Sequence, residues 1–283
     1  MGSEAADLAS AYAYCEMLVR RDDPDRWLSS LFMPAALRPH CHALYAFSLE
    51  IARVREITSE PLLGEIRFQW WREALEGLRT EELEANPVGM ALVDTIRRFS
   101  LPTEPLVGLI EAREFDLYDE PMASVAGLEA YCRATSASPI ELIVRILDPA
   151  APAAHVAAEH GGIAYALTGL LRALPWHLAR GQLYVPLELL VRHKVGRVEL
   201  LAGQISPAVH AVLADLRALA RSHLSTLNEL RADGLGLAEP AFLPVSLCEA
   251  YLRRMEKHDY DPFKTMIALP QWRRQWILWR AAK

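Results

Sequence analysis

The chain is poor in the features that betray most common chemistries. Its four cysteines, Cys15, Cys41, Cys132 and Cys248, lie far apart and form no C-x-x-C pair. That spacing offers neither a metal finger nor a redox couple and suits small buried thiols in a reducing compartment. No uninterrupted apolar run approaches the ~20 residues a membrane-spanning helix requires. The first dozen residues lack a basic region followed by an apolar one, so no secretory signal is read there, and a cytoplasmic location is expected. A basic surplus is missing too. Net charge is −6, and the arginines are scattered over helical faces without interleaved aromatics, so nucleic acid is not an expected partner. A Gly-rich phosphate loop, a G-x-S-x-G elbow and an H-E-x-x-H pair are all absent.

What the chain has in quantity is helical periodicity. Ala, Leu, Glu and Arg fill most segments, whereas alternating β-branched runs are nearly absent. Breaks fall where proline stands, for example at Asp22-Asp23-Pro24, Glu60-Pro61, Asn86-Pro87, Asp148-Pro149, Ser206-Pro207 and Leu269-Pro270. Several pair an N-cap residue with proline in the first turn, as at Ser206-Pro207, which opens a helix carrying Val209, Val212, Leu213, Leu216 and Leu219. No linker, low-complexity tract or repeat divides the chain. The expectation is one all-α domain over residues 1–283, built from about ten helices.

Two stretches carry a resemblance. Pro34-Ala35-Ala36-Leu37-Arg38 followed by Ala43-Leu44-Tyr45-Ala46-Phe47 is one. Leu167-Thr168-Gly169-Leu170-Leu171-Arg172-Ala173-Leu174-Pro175-Trp176-His177 with Gly181-Gln182-Leu183-Tyr184-Val185-Pro186 is the other. They resemble the two signatures of the squalene/phytoene synthase family, P-x-x-x-R…A-L-Y-A-F-C-R-x-x-D-D-x-x-D and L-T-N-I-L-R-D-V-x-E-D-x-x-x-G-R-x-Y-L-P. The resemblance implies an isoprenoid-synthase-like helical bundle around a central cavity. It also implies Mg²⁺ ions, held by carboxylates on two facing helices, that clamp the diphosphate leaving group of a prenyl substrate. Here the acidic positions read Ala52, Arg53 and Glu56 in the first signature and Ala173, Trp176 and His177 in the second. Mg²⁺ needs hard oxygen ligands, and alanine, tryptophan and arginine supply none. Within the family, Tyr14–Asp22, Arg26–Pro34, Ala46–Val54 and Gly64–Arg72 are similar to a divergent branch, that of the mitochondrial respiratory complex I assembly factor with this fold.

The expectation drawn from that branch is a non-catalytic relative, without a cofactor, that assists assembly of respiratory complex I by binding partner subunits, assembly intermediates or a lipid. The alternative is an active Mg²⁺-dependent prenyltransferase whose metal site is rebuilt from Glu56, Asp116, Glu50 or Glu114.

By the same resemblance Arg38, Tyr45 and Arg172 match positions that face the cavity or its diphosphate. With Arg53 they would make it positive, fit for a prenyl or lipid phosphate held without metal. The competing reading pairs these arginines internally with Glu50, Glu56 or Glu65. Asp116 is expected to pair locally rather than bind metal, and His177 to be a hydrogen-bonded structural residue more readily than a catalyst. Phe68, Trp70, Trp71, Phe115 and Tyr118 read as core, with an isoprenoid tunnel as the alternative. His40 and His42, two apart, point to different sides of a helix. Pro175 either ends a long helix near Leu174 or kinks it to re-aim Trp176 and His177. Finally, Trp272, Trp276 and Trp279 fall at i, i+4 and i+7 with arginines beside them. That face belongs either to a buried closing helix or to a membrane surface, with peripheral contact at the inner face of the cytoplasmic membrane.

Overall fold

Proline sets the start of helix after helix. Pro61, Pro87, Pro152 and Pro207 each sit in a first turn, where the missing N–H would have had no intrahelical partner anyway. Asn86 and Ser206 cap two of these starts by accepting the Val88 and Val209 backbone N–H groups.

The computed structural model describes residues 2–58 and 60–283, and every regular element in them is helical. Among the described residues ten α-helices have eight or more residues: α1 (Gly2–Asp22), α2 (Arg38–Ala52), α3 (Pro61–Leu75), α4 (Pro87–Phe99), α5 (Glu104–Arg113), α6 (Val125–Cys132), α7 (Ser138–Leu147), α8 (Pro152–Arg172), α9 (Pro207–Ala232) and α10 (Gln271–Ala281). Short helical pieces and a 12-residue 3-10 segment, Gly236–Leu247, join them. None of the helices is long and apolar enough to cross a membrane.

The core forms two apolar clusters. One gathers α1, α2, α4 and α7 around Phe47, Phe68 and Trp71. The other gathers the end of α8, α9 and the residues around Tyr184 and Tyr251. Trp27 and Leu224 pack against both clusters. The aromatic residues split between core and surface. Phe68 and Trp71 are buried, Trp70 donates its ring N–H to Glu82, and Tyr118 is exposed and donates to Glu65. His40 accepts or donates within a Tyr12–Asp94–Thr95 group, and His42 meets Ser30 Oγ at 2.8 Å. The four thiols are buried, and burial pushes each up to about 12, which leaves them as inert fillers.

Two local features position the site. Between α6 and α7 the chain makes a single π-turn, Arg133–Ala137, which a straight helix would not need. Gly162 of α8 faces it, and a Cβ there would overlap the Ala137 backbone, so this glycine allows the two helices to touch. At the other end, α8 stops at Arg172. Ala173 leaves the helical region (φ −89°, ψ 4°), and Pro175 begins a new short helix, Leu174–Leu178. The long helix therefore ends rather than kinks, yet the short one still delivers His177 to the cavity.

Candidate functional site

A cavity of about 280 Å³ opens between α2, α5, the π-turn and α8, at the lower end of the ~300–1,000 Å³ common for ligand pockets. Asp23, the N-cap of the Pro24–Ser30 helix, and Arg26 within it reach the cavity from one side, Ser48 and Ala52 from α2, Arg113 from the end of α5, and Ser136 from the π-turn. Tyr131, Tyr165 and His177 complete its wall.

Two guanidinium groups dominate its electrostatics. Arg26 is buried between the rings of Tyr45 (4.8 Å) and Tyr165 (5.1 Å), with Asp23 3.6 Å from its Nε. Burial works against the Arg26 charge, but Asp23 and the two tyrosines outweigh it and hold the group charged. Burial pushes the Asp23 carboxyl upward against the pull of Arg26. Arg113 donates to Asp116 (2.9 Å) and to the Tyr131 hydroxyl (2.8 Å). Burial opposes its charge too, and Tyr131 and Asp116 again prevail. Arg26 and Arg113 lie near enough to disfavour each other's charge. Arg113 Nε and Ser136 Oγ are buried without a hydrogen-bond partner among the described residues. His177 contacts the Tyr184 ring edge (4.6 Å), and its Nδ1 lies 3.4 Å from Gln182 Oε1. Burial lowers it to about 4, so it is neutral at neutral pH. What the cavity offers is two guanidinium groups, each paired with a carboxylate (Asp23 and Asp116), and hydrogen-bond donors that an oxyanion could accept from.

The residues picked out in the sequence spread over several environments. Ala52 and His177 do line the cavity, at positions where the family signatures carry acids. Tyr45 lies directly beneath Arg26, fully buried, and its hydroxyl has no hydrogen-bond partner among the described residues. Arg38 is not a cavity residue. Its Nη2 donates to the carbonyls of Leu31 and Met33 (both 3.1 Å), in the turn that follows the Pro24–Ser30 helix, where no further helical turn supplies donors. Arg53 pairs with Asp22, and Glu56 is exposed on the four-residue helix Val54–Ile57. Arg172 stacks on Tyr251 (3.7 Å) and lies 3.7 Å from Asp25. Asp116 is 5% exposed and accepts from Tyr131 (2.8 Å), Tyr184 (2.7 Å) and Arg113, while its backbone carbonyl accepts from Gln182. Two of the three arginines do pair internally, Arg53 with Asp22 and Arg172 with Asp25, and the neighbouring Asp23 pairs with Arg26. Sequence reasoning passed over these aspartates as a helix break at Pro24.

A Mg²⁺ cluster does not fit this donor set. Of the six signature positions, Ala52 and Ala173 have no ligand atom, Arg53 is an ion-paired cation, and Glu56 is exposed. Trp176 is covered by Arg180 (3.9 Å), and His177 offers a nitrogen rather than a hard oxygen. Among the described residues no group of three or more His, Cys, Asp or Glu side chains could hold a metal ion.

Comparison with known proteins gives the same frame. The chain is 32% identical over 90% of its length to rat NADH dehydrogenase (ubiquinone) complex I, assembly factor 6, covering 77% of that protein. It is 25% identical to the 15-cis-phytoene synthase of Synechococcus elongatus, over 95% of this chain and 91% of that one. In three dimensions it matches a crystal structure of a dehydrosqualene synthase in complex with ligand, with a TM-score of 0.83 at 20% identity, over 98% of this chain and 97% of that one. A sequence model described as squalene/phytoene synthase matches residues 19–280, nearly the whole bundle and both degenerate signatures, and the chain belongs to that family.

Proposed function

We propose that this protein is a non-catalytic member of the squalene/phytoene synthase family that assists assembly of respiratory complex I, acting by binding rather than by prenyl transfer. The similarity to relatives named complex I assembly factor 6 supports the biological half of this reading. The observation that carries the chemical half is the exchange of charge in the cavity. Where the family fold would place carboxylates on two facing helices, this chain has Ala52, Arg53, an exposed Glu56, Ala173, Trp176 and His177, and the cavity wall presents Arg26 and Arg113 beside a single carboxylate, Asp23. Asp23 and Asp116 offset these two charges, so an anionic group would be held, with no metal to mediate, by the donors that have no partner among the described residues, Arg113 Nε and Ser136 Oγ. The bound species would be a lipid phosphate, a prenyl phosphate or an acidic side chain of a client subunit.

The competing reading, Mg²⁺-dependent condensation of two prenyl diphosphates, draws support from the phytoene synthases among the relatives. It asks Glu56 and Asp116 to rebuild a metal site. Glu56 is exposed, and both Asp116 oxygens already accept hydrogen bonds. Incubation of the purified protein with farnesyl and geranylgeranyl diphosphate, with and without Mg²⁺ or Mn²⁺, separates the two. The expected result is no metal-dependent release of diphosphate, alongside loss of assembled complex I when the gene is deleted in its own host. Metal-dependent formation of a triterpene or tetraterpene hydrocarbon would overturn the binding reading.

A further inference from the structure

Helix α10 carries Gln271, Trp272, Arg273, Arg274, Gln275, Trp276, Ile277, Leu278, Trp279, Arg280 and Ala281, with Lys283 just beyond, and no acidic residue among them. The bundle takes one side of it. Leu278 is 1% exposed, and Arg274 Nη1 donates to the buried carboxylate of Asp25 at 2.8 Å. Asp25 also accepts from the Tyr251 hydroxyl at 2.8 Å. The helix is therefore bolted to the Pro24–Ser30 helix at a fixed rotation and is not a loose tail.

That rotation turns the tryptophans outward. Trp272 is 69% exposed, Trp276 57% and Trp279 43%. At about 100° per residue the three rings fall within an arc of roughly 60°, and Lys283 continues it. Trp276 and Trp279 lean together (5.2 Å), and Lys283 Nζ lies 3.5 Å over the Trp279 ring. Arg273 and Arg280 are exposed along one margin of the stripe, roughly 60–100° from its centre.

Three solvent-facing indoles in one row are costly on a soluble surface unless something covers them. The charge pattern says what. The chain as a whole carries −6, yet this helix and its end supply only cations. A row of indoles beside Arg273, Arg280 and Lys283 matches the boundary of an anionic bilayer, where the rings occupy the headgroup level and the cations meet lipid phosphates. We infer that α10 is an in-plane membrane-docking helix, which places the protein peripherally on an anionic phospholipid surface. This inference does not depend on what the central cavity binds.

The test uses the full chain with vesicles of phosphatidylcholine alone and of phosphatidylcholine mixed with phosphatidylglycerol. Sedimentation should show binding to the mixed vesicles and little to the neutral ones. Brominated lipid should quench part of the tryptophan fluorescence, and a Trp272→Ala/Trp276→Ala/Trp279→Ala variant should lose that quenched fraction and bind at least tenfold more weakly. An Arg273→Gln/Arg280→Gln/Lys283→Gln variant should lose roughly a hundredfold of the preference for anionic lipid, at about a kcal/mol for each cation. All the substituted side chains are exposed, so thermal unfolding of both variants should match the parent. Equal binding by the parent and the tryptophan variant would overturn the inference. So would failure to bind either vesicle, or a self-association measured by light scattering that the tryptophan variant abolishes, which would make the occupant a second copy of the chain.

Discussion

Replacing Asp116 with asparagine should destabilise the protein severely, although asparagine has nearly the same shape. The carboxylate is buried and accepts three strong hydrogen bonds, from Tyr131, Tyr184 and Arg113, all between 2.7 and 2.9 Å. Asparagine keeps one acceptor oxygen and turns the other position into a donor facing a donor. It also leaves the Arg113 guanidinium, already repelled by Arg26, with no counter-charge beside it. Removing one member of a buried pair costs about 3–5 kcal/mol, because the survivor stays desolvated. For a chain of this size that corresponds to a fall in Tm of about 5–8 °C. Circular dichroism on heating and urea titration would measure it. The diagnostic partner is the double variant Arg113→Met/Asp116→Asn, in which no charge is stranded. It should recover a large part of the loss, giving a coupling energy of at least ~1 kcal/mol in a double-mutant cycle. If Asp116→Asn alone stays within about 1 kcal/mol of the parent, or if the two substitutions simply add, the carboxylate is not holding Arg113 and the electrostatic account of the cavity fails.

Acid should weaken the fold through two buried histidines. Burial lowers His42 and His177 to about 4, whereas the unfolded chain binds their protons near 6.5, so the unfolded state gains protons first and stability falls as pH drops from 6.5 toward 4. Each histidine should cost about 2 kcal/mol between pH 7 and pH 5, and urea midpoints of a His42→Gln variant should vary less over that interval than those of the parent. Equal pH dependence would remove His42 from the account. Gly162→Ala should destabilise by about 1–3 kcal/mol, since the new methyl meets the Ala137 backbone at the π-turn. The control Gly108→Ala, on α5 with open space around it, should stabilise by about 0.5–1 kcal/mol; opposite signs in urea titration are the expected pattern, and equal signs would contradict the close approach.

The helical class, the proline-marked starts and the two signature-bearing helices were readable directly, because periodicity and capping act over a few residues. Ala52 and His177 reached the cavity as their places in the signatures implied. The arginines did not follow, and the reason is physical. A guanidinium on a long side chain takes whichever acceptor is nearest, and position in a motif does not say whether that is a ligand, a loop carbonyl or an aspartate. Arg38 found the Leu31 and Met33 carbonyls, Arg53 found Asp22, and Arg172 found the Tyr251 ring beside Asp25. The cations that do face the cavity were hidden for a related reason. Arg26 follows a Pro-containing acidic turn that reads as a break, and Arg113 ends a helix whose exposed and buried sides differ little in polarity.

The π-turn carries no signal in Arg133-Ala134-Thr135-Ser136-Ala137 that an ordinary helix would lack; the Ser138 N–H bond to the Arg133 carbonyl defines it, and Gly162 fits against it at Ala137. The tryptophan row shows the opposite case. Its spacing was plain in the sequence, but spacing is symmetric between a buried and an exposed stripe. Two residues decided it, Leu278 and Arg274, which the core and Asp25 claim for the inner side and which leave the indoles no direction but out.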